Sequence, residues 1–379
     1  MRVAFAMINC NRRDGSARAV NEVAERLARR GHDVHLFART VTDLDLDAVR
    51  WHRVPGPGWP EVADFWSYHQ IVNRRLAGGF DIVHSIGCNT LRANVVTIQN
   101  IQPVKARILK ELAPDERVSP ARRLTRWLYL RVTSEAERRL YTAVAGRRSP
   151  VFLPVSNGVA GELRRTYRIG SAKVRIVPNA ADTKIFQPLD DIARTEWRRE
   201  AGFSDSDFVC VFSGGEWARK GLDLAIRAIG LIRDPSVKLY VAGDDPDRGR
   251  FSRMAAEWSS RVVFGGFRHD IPKVLGAGDI FLFPSRYEAF SLATIEAAAC
   301  GLPIVAAKIN GTEDFIQPGH TGEFVGHDPQ EIADAVLALA CDRQRVREMG
   351  SAGRERVVAN YTWDRVADLT EVAYREALE

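Results

Sequence analysis

The sequence predicts an α/β protein made of two mostly parallel, doubly wound sheets. Apolar runs of strand length alternate with helical apolar stripes through the first half, which is the signature of repeated βαβ units. The same alternation restarts after residue 207. The chain has 379 residues, too long for one ordinary domain and comfortable for two, and its 45% apolar content can fill two cores.

The elements read as follows. Met1-Arg2-Val3-Ala4-Phe5-Ala6-Met7-Ile8 reads as a first buried strand. It is not expected to be a signal peptide, because Asn9-Cys10-Asn11-Arg12-Arg13-Asp14-Gly15 follows without a small-residue cleavage site. A helix is predicted from about Ala17 to Arg30, since Val20, Val23, Ala24, Leu27 and Ala28 share one face and Gly31 can stop it. Residues 32–37, 80–85 and 94–98 read as further strands. In the second half Phe208–Ser213 is a strand, followed by a glycine turn and a helix with Leu222, Ala225, Ile226, Ile229 and Ile232 on one face. Residues 237–242, 262–264, 279–283 and 304–307 continue the strands.

Charge is unevenly placed. The net +6 is accounted for by residues 105–148, where twelve Lys/Arg stand against five Asp/Glu. Such a block calls for an anionic partner surface. Within it Leu124, Trp127, Leu128, Val132, Ala136 and Leu140 form a stripe flanked by Arg122, Arg123, Arg126, Arg131, Arg138 and Arg139. Two readings stay open: the stripe packs on the first domain, or the segment 119–148 lies on an anionic membrane surface. No stretch approaches the ~20 apolar residues of a membrane span. The five cysteines are scattered, without C-x-x-C or zinc spacing, and read mostly as small buried hydrophobes in a reducing cytosol. The expected location is cytoplasmic, or peripheral on the inner face of the plasma membrane.

The most informative stretch is residues 284–303. A strand ends at Pro284, a polar turn carries Glu288, an Ala-rich helix beginning near Ser291 carries Glu296, and Cys300-Gly301-Leu302-Pro303 stops it before the next strand. Ligands of open α/β sheets bind where strand ends feed helix starts. Eight helical residues rise about 12 Å, so the two carboxylates bracket an elongated ligand, with an anion held at the helix N-terminus between them. After the strand 208–213, Ser213-Gly214-Gly215-Glu216-Trp217-Ala218-Arg219-Lys220-Gly221 places Arg219 and Lys220 at another helix mouth, where a leaving diphosphate needs positive charge.

These residues resemble the E-x7-E motif and phosphate-gripping loop of retaining, nucleotide-sugar-dependent glycosyltransferases of the GT4 type. The resemblance runs through the chain and is most specific over 174–330. It implies the GT-B fold, two Rossmann-like domains facing a cleft. Val174–Pro188 resembles the family's crossover, so residues 1–185 are expected to form the acceptor-side domain and 186–362 the donor-nucleotide domain. Tyr361-Thr362-Trp363-Asp364 resembles the start of the family's closing helix, which implies that 363–379 packs back on the first domain.

The resemblance implies roles. Glu288, Arg219 and Lys220 carry the chemistry: Glu288 holds donor-sugar hydroxyls, and the two cations take the diphosphate. Glu296 holds the ribose, and Phe290, Ser291 and Leu292 bind donor beside it. Many members place the arginine five residues before the lysine. Here that position is Gly215 and Arg219 adjoins Lys220. Gly15 stands where the family approaches phosphate or sugar with a glycine; a plain tight turn at Asp14-Gly15-Ser16 is the equal alternative. Phe267 or Arg268, after the strand 262–264, stands where the family meets the nucleobase. Members often carry a histidine after the strand matching 95–98, whereas this chain has Gln99-Asn100, which can hydrogen-bond but cannot act as a base. His84 reads as a core or sheet-end histidine. Asp245-Pro246-Asp247 and Asp43-Leu44-Asp45-Leu46-Asp47 have D-x-D spacing but read as solvated turns, so no metal is expected and no cofactor beyond the donor, a UDP- or GDP-sugar.

The function expected is sugar transfer with retention to an acceptor hydroxyl on a glycan, lipid-linked or small-molecule acceptor, in cell-envelope glycan, glycolipid or natural-product glycoside synthesis. Family members working on lipid-linked acceptors often show such a basic patch. The alternative is a non-catalytic binding relative, which the Gln99 departure keeps open. A nicotinamide dehydrogenase lacks its G-x-G-x-x-G here. A nucleic-acid partner is not expected, since the charge sits in one segment and the paired acids oppose a phosphate backbone.

Overall fold

Runs of Val, Ile, Phe and Ala become the strands of two parallel sheets in a computed structural model that describes residues 1–11, 15–112, 120–142, 149–169 and 173–379. Strands buried on both faces need near-continuous apolar sequence, and parallel ones need helical crossovers. Both conditions hold here. In chain order the first part contains β1 (Arg2–Ala6), β2 (Asn9–Cys10), α1 (Gly15–Arg29), β3 (Asp33–Ala38), β4 (Thr40–Val41), β5 (Arg50–Arg53), α2 (Glu61–Arg75), β6 (Ile82–Ile86), β7 (Val95–Ile98), α3 (Gln102–Leu112), α4 (Pro120–Tyr141), β8 (Val151–Pro154) and α5 (Asn157–Tyr167). The second contains α6 (Asp191–Glu200), β9 (Phe208–Ser213), α7 (Trp217–Lys220), α8 (Leu222–Leu231), β10 (Val237–Ala242), α9 (Arg248–Met254), β11 (Val262–Gly266), α10 (Ile271–Ala277), β12 (Ile280–Phe283), α11 (Leu292–Ala299), β13 (Ile304–Ala307), α12 (Thr312–Phe315), β14 (Gly322–Val325), α13 (Pro329–Ala340) and α14 (Arg343–Asn360). The last helix is α15 (Trp363–Leu378).

The first sheet runs β5-β3-β1-β6-β7-β8 and the second β11-β10-β9-β12-β13-β14. Each order reverses beside its first long strand, between β1 and β6 and between β9 and β12. These are the switch points at which such sheets hold ligands.

The chain divides into two compact units. One comprises Met1–Asn179 with Trp363–Glu379, the other Ala180–Thr362. The boundary expected at 185 therefore moves to 179. The segment from Ala180 is tied to the second unit: Ala181 N–H donates to Tyr361 O, and Phe186 is buried. Val174 makes one bridge to Phe152 rather than a strand. In the first unit α15 packs on α1, with Arg26 donating to Asp364 at 2.8 Å and Arg30 paired with Asp368 at 2.8 Å. Tyr374, fully buried, reaches His84 under the sheet.

The stripe read on α4 divides in two. Ala136 and Leu140 are buried, as the packing reading requires. Leu124, Trp127 and Leu128 are exposed among Arg122, Arg123, Arg126 and Arg131. Burial follows position along the helix: residues 121–128 are mostly exposed, Tyr129 meets Phe65 of α2 edge-on, and Thr133, Ala136, Glu137, Leu140 and Tyr141 are buried. The remainder of the basic block, at 113–119 and 143–148, lies outside the described residues. No helix among the described residues is long and apolar enough to cross a membrane.

In the second unit three arginines converge on Asp279, the residue before β12. Arg198, without exposed surface, pairs at 2.6 Å, Arg194 at 2.8 Å and Arg343 at 2.8 Å. The cluster fastens α6 and α14 to the amino edge of the sheet, opposite the strand ends that form the site.

Candidate active site

Two loops build the site, one after β9 and one after β12, on either side of the second unit's switch point. Glycine lets them close on each other. Gly221 holds φ +78°, and a Cβ there would strike the Pro284 carbonyl. Gly214 holds φ +120°, and a Cβ there would occupy the place of the Lys220 ammonium. Both positions need left-handed backbone that side chains rarely adopt.

Polar contacts then lock the loops together. Arg286 N–H donates to Arg219 O at 2.9 Å, and the Arg286 guanidinium grips Asp223 through both nitrogens at 2.9 and 2.8 Å. It also donates to Ala218 O at 2.6 Å. Such bidentate pairs fix orientation as well as distance. Asp245 accepts from Trp217 N–H at 2.9 Å and so holds the first loop from the β10 side. Ser285, fully buried, directs its hydroxyl toward Tyr287 O at 3.2 Å and Arg219 O at 3.3 Å.

Arg219 and Glu288 meet directly. Arg219 Nη1 donates to Glu288 Oε1 at 2.7 Å and to Tyr287 O at 2.5 Å, while Nη2 donates to Glu216 at 2.6 Å. Burial alone would lower the pKa of this guanidinium; Glu288 and Glu216 outweigh it and raise the net value. Three of the five N–H donors of a guanidinium are thereby engaged.

Lys220 is different. Its ammonium lies 5.5 Å over the Phe283 ring and beside Gly214, and no carboxylate among the described residues comes within ion-pair distance. Burial lowers its pKa; the field of Glu288 opposes that, Arg219 adds to the lowering, and Glu216 and Glu296 oppose it again. The carboxylates at both ends of the motif therefore act on one ammonium. Glu296 is buried on α11, whose N-cap Ser291 accepts from Thr294 N–H at 3.2 Å. Phe290, buried against Tyr361, and Leu292 flank that cap.

The structure thus brings together Arg219, Lys220, Glu288, Glu296, Phe290, Ser291 and Leu292 in one unit. Phe267 and Arg268 lie after β11, at the sheet edge two strands from β9. Phe267 is 63% exposed, and Arg268 is held by Asp270 at 2.7 and 2.6 Å. Gly15 opens α1 in the other unit, and Asp14 lies outside the described residues.

Other candidates take structural positions. His84 donates and accepts between Tyr374 OH at 2.8 Å and Thr97 Oγ1 at 2.7 Å, and burial lowers its pKa to about 3. Gln99 pairs with Asn179 through both amides, at 3.2 and 3.4 Å. Asp45 accepts from the local N–H groups of Asp47 and Ala48, and Asp245 from the local Asp247 N–H and from Trp217 N–H of the neighbouring loop. Arg286 and Asp223 were given no role in the sequence, and Asp245 was read only as a solvated turn. Their partners lie 63 and 28 residues away, and no local spacing announces them.

Comparison with known proteins agrees with this geometry. Residues 207–342 match the family model for glycosyl transferases group 1, and residues 13–185 match that for glycosyltransferase family 4. An alpha-maltose-1-phosphate synthase of Mycolicibacterium smegmatis is 28% identical over 59% of this chain and 62% of its own length. An MMP alpha-(1->4)-mannosyltransferase of Mycolicibacterium hassiacum is 25% identical over 95% of this chain and 94% of its own. The first match thus spans under two thirds of its relative. Among solved structures, sucrose-phosphate synthase from Thermosynechococcus elongatus superposes with a TM-score of 0.78 at 21% identity, covering 99% of this chain and 98% of that one. HepE from Anabaena, solved in complex with UDP and glucose, gives 0.73 at 17% identity, covering 99% and 100%. With both sheets, the switch-point loops and both family models in agreement, this chain belongs to the GT4-type glycosyltransferases and has their GT-B fold.

Proposed function

We propose that this protein transfers a sugar from a UDP- or GDP-sugar to an acceptor hydroxyl, with retention and without a metal. The observation that carries the reading is Lys220. A desolvated ammonium in the field of both motif glutamates, with no carboxylate at ion-pair distance among the described residues, is suited to a diphosphate. The UDP bound to HepE supports a nucleotide donor.

In the mechanism, Lys220 and the N-terminus of α11 stabilise the charge that develops on the departing diphosphate. The anomeric C–O bond breaks and its electron pair goes to the diphosphate. The acceptor hydroxyl attacks from the same face, the new glycosidic C–O bond forms, and a diphosphate oxygen takes the proton. Glu288 holds donor-sugar hydroxyls, oriented by Arg219, whose two remaining N–H donors reach the phosphate. Glu296 holds the ribose, and Phe267 offers an exposed ring for stacking on the base. Positive charge from Lys220 and the helix end serves where other enzymes use a divalent ion, and the D-x-D aspartates serve as backbone caps.

The acceptor class is a glycan, glycolipid or small molecule of cell-envelope or natural-product synthesis. The exposed Leu124, Trp127 and Leu128 among arginines support a peripheral position on the cytosolic face of the membrane. Lys220→Ala should lower kcat with UDP- and GDP-sugars at least tenfold, about 1.4 kcal/mol, with the fold intact. Donor hydrolysis without acceptor is the assay that separates an enzyme from a silent relative. Unchanged turnover in the folded variant would refute the reading.

A further inference from the structure

A second cavity of the donor-side unit, about 760 Å³, lies around the Asp279 cluster at the amino edge of the sheet. That volume falls within the roughly 300–1,000 Å³ of small-molecule sites. Arg194 of α6 lines it, as do Arg343, Arg347, Ser351 and Arg354 of α14, whose spacings of four, four and three residues put them on one helix face. Leu189, Leu302 and Val346 add apolar wall.

One carboxylate serves too many cations here. Asp279 Oδ1 accepts from Arg194 Nη2 and from Arg343 Nη1, both at 2.8 Å, so these two nitrogens lie within twice that distance of each other. Oδ2 is taken by Arg198 at 2.6 Å and by Val209 N–H at 2.7 Å. A carboxylate offers about four lone-pair sites, so Asp279 is saturated. Arg194 spends one nitrogen on it, and its other N–H groups meet no acceptor among the described residues. Arg347, exposed one turn beyond Arg343, makes no hydrogen bond or ion pair among the described residues. Arg354 is committed, donating to Phe186 O at 3.2 Å and to Ala299 O.

The field agrees with this inventory. Burial and then Arg198 lower the Arg194 pKa, Asp279 opposes, Arg343 adds to the lowering and Asp191 opposes again; the net direction is down. Asp191 and Asp205 also line the cavity, but both are exposed, where solvent and salt screen them, and Asp205 accepts from Thr195 at 3.2 Å. After its Asp342 cap, α14 opens on Arg343, Arg345 and Arg347 with no acid in the first turn, although its dipole disfavours cations there.

We propose that this cavity binds a phosphoryl dianion, as free phosphate or as a phosphomonoester, held by the unspent N–H groups of Arg194 and by Arg343 and Arg347. Guanidinium groups match phosphate oxygens in pairs, and the dianion supplies the charge that Asp279 alone does not. Leu189, Leu302 and Val346 offer a wall for the body of an ester. The site stands at the opposite edge of the sheet from Lys220 and does not depend on the sugar-transfer reading.

The test is isothermal titration calorimetry on the full chain at constant ionic strength, with inorganic phosphate, ribose 5-phosphate and ribose. At least one phosphate probe should bind the wild type saturably, and ribose should not. Tighter binding of ribose 5-phosphate assigns the site to a phosphomonoester; equal affinity assigns it to free phosphate. Arg347→Gln should weaken binding roughly tenfold, Arg194→Gln at least as much, and Arg347→Glu should abolish it. Lys220→Ala should leave it unchanged, which separates this cavity from the diphosphate site. No binding by the wild type, ribose binding as tightly as its phosphate, wild-type affinity in R347E, or loss of binding in K220A overturns the assignment. If R194Q fails to fold, R347E decides alone, since Arg347 holds no partner that the fold needs.

Discussion

Lys220 and Glu137 illustrate how one kind of force has opposite consequences for a cation and an acid. Burial disfavours the charged form of each, lowering the Lys220 pKa and raising that of Glu137. For Glu137 this has a stability consequence with a definite sign. Its pKa in the folded state, about 7, lies above its ordinary 4.5, so between these values the folded chain holds a proton that the unfolded chain has lost. Stability should therefore fall as pH rises through that window, by roughly 3 kcal/mol in all. Glu137→Gln removes this titration. The Tm of the variant relative to wild type should climb between pH 4.5 and 7.5 in calorimetry, and a constant difference would show that the carboxyl does not titrate there. Cys88 and Tyr167 also face Glu137, but burial raises both away from this window.

At the scale of elements, charge fastens helices to the sheet edge and decorates one helix for solvent or lipid. Asp279 sets one carboxylate against three arginines and also accepts from Val209 N–H at 2.7 Å. Burial and then its neighbour Arg198 already lower the Arg194 pKa, so removing the acid leaves uncompensated positive charge in a dry place. Asp279→Ala should cost about 3–5 kcal/mol, read as a lower urea midpoint at unchanged m-value. A loss below about 1 kcal/mol would show the cluster to be solvated. The first half of α4 is the opposite case. Replacing Arg122, Arg123 and Arg126 by Gln should lower partition onto phosphatidylglycerol vesicles about a hundredfold, at about 1 kcal/mol each. Phosphatidylcholine vesicles should bind neither form. Equal binding of both forms to both lipids would sink the membrane reading.

For the whole molecule, strands and the helices between them were largely legible. β9, β10, β12 and β13 sit on apolar runs bounded by Gly, Pro or Asp, and α1 and α8 on apolar stripes. The short or polar strands were not: β5 is Arg-Trp-His-Arg, an edge strand whose place is set by pairing with β3. The E-x7-E pair and the Arg-Lys couple could be picked out because their chemistry is compressed into two short loops. Asp245 was legible only as a turn, since its service to Trp217 N–H crosses from one strand end to the next. The stripe on α4 was visible as one face, yet of its residues only Ala136 and Leu140 are buried.

The order of residues by itself determined the α/β class, the restart of the pattern near 208 and the acids and bases around residues 219 and 288, because periodicity and loop composition are local properties. Three-dimensional packing alone decided that Arg219 is shared among Glu288, Glu216 and the Tyr287 carbonyl while Lys220 has no carboxylate at ion-pair distance among the described residues, that Arg286 clamps Asp223, and that Glu137 and Asn100 line one cavity. Those outcomes depend on which strand ends become neighbours at a switch point, and burial and Coulomb interaction act on distance in space, which sequence separation does not measure.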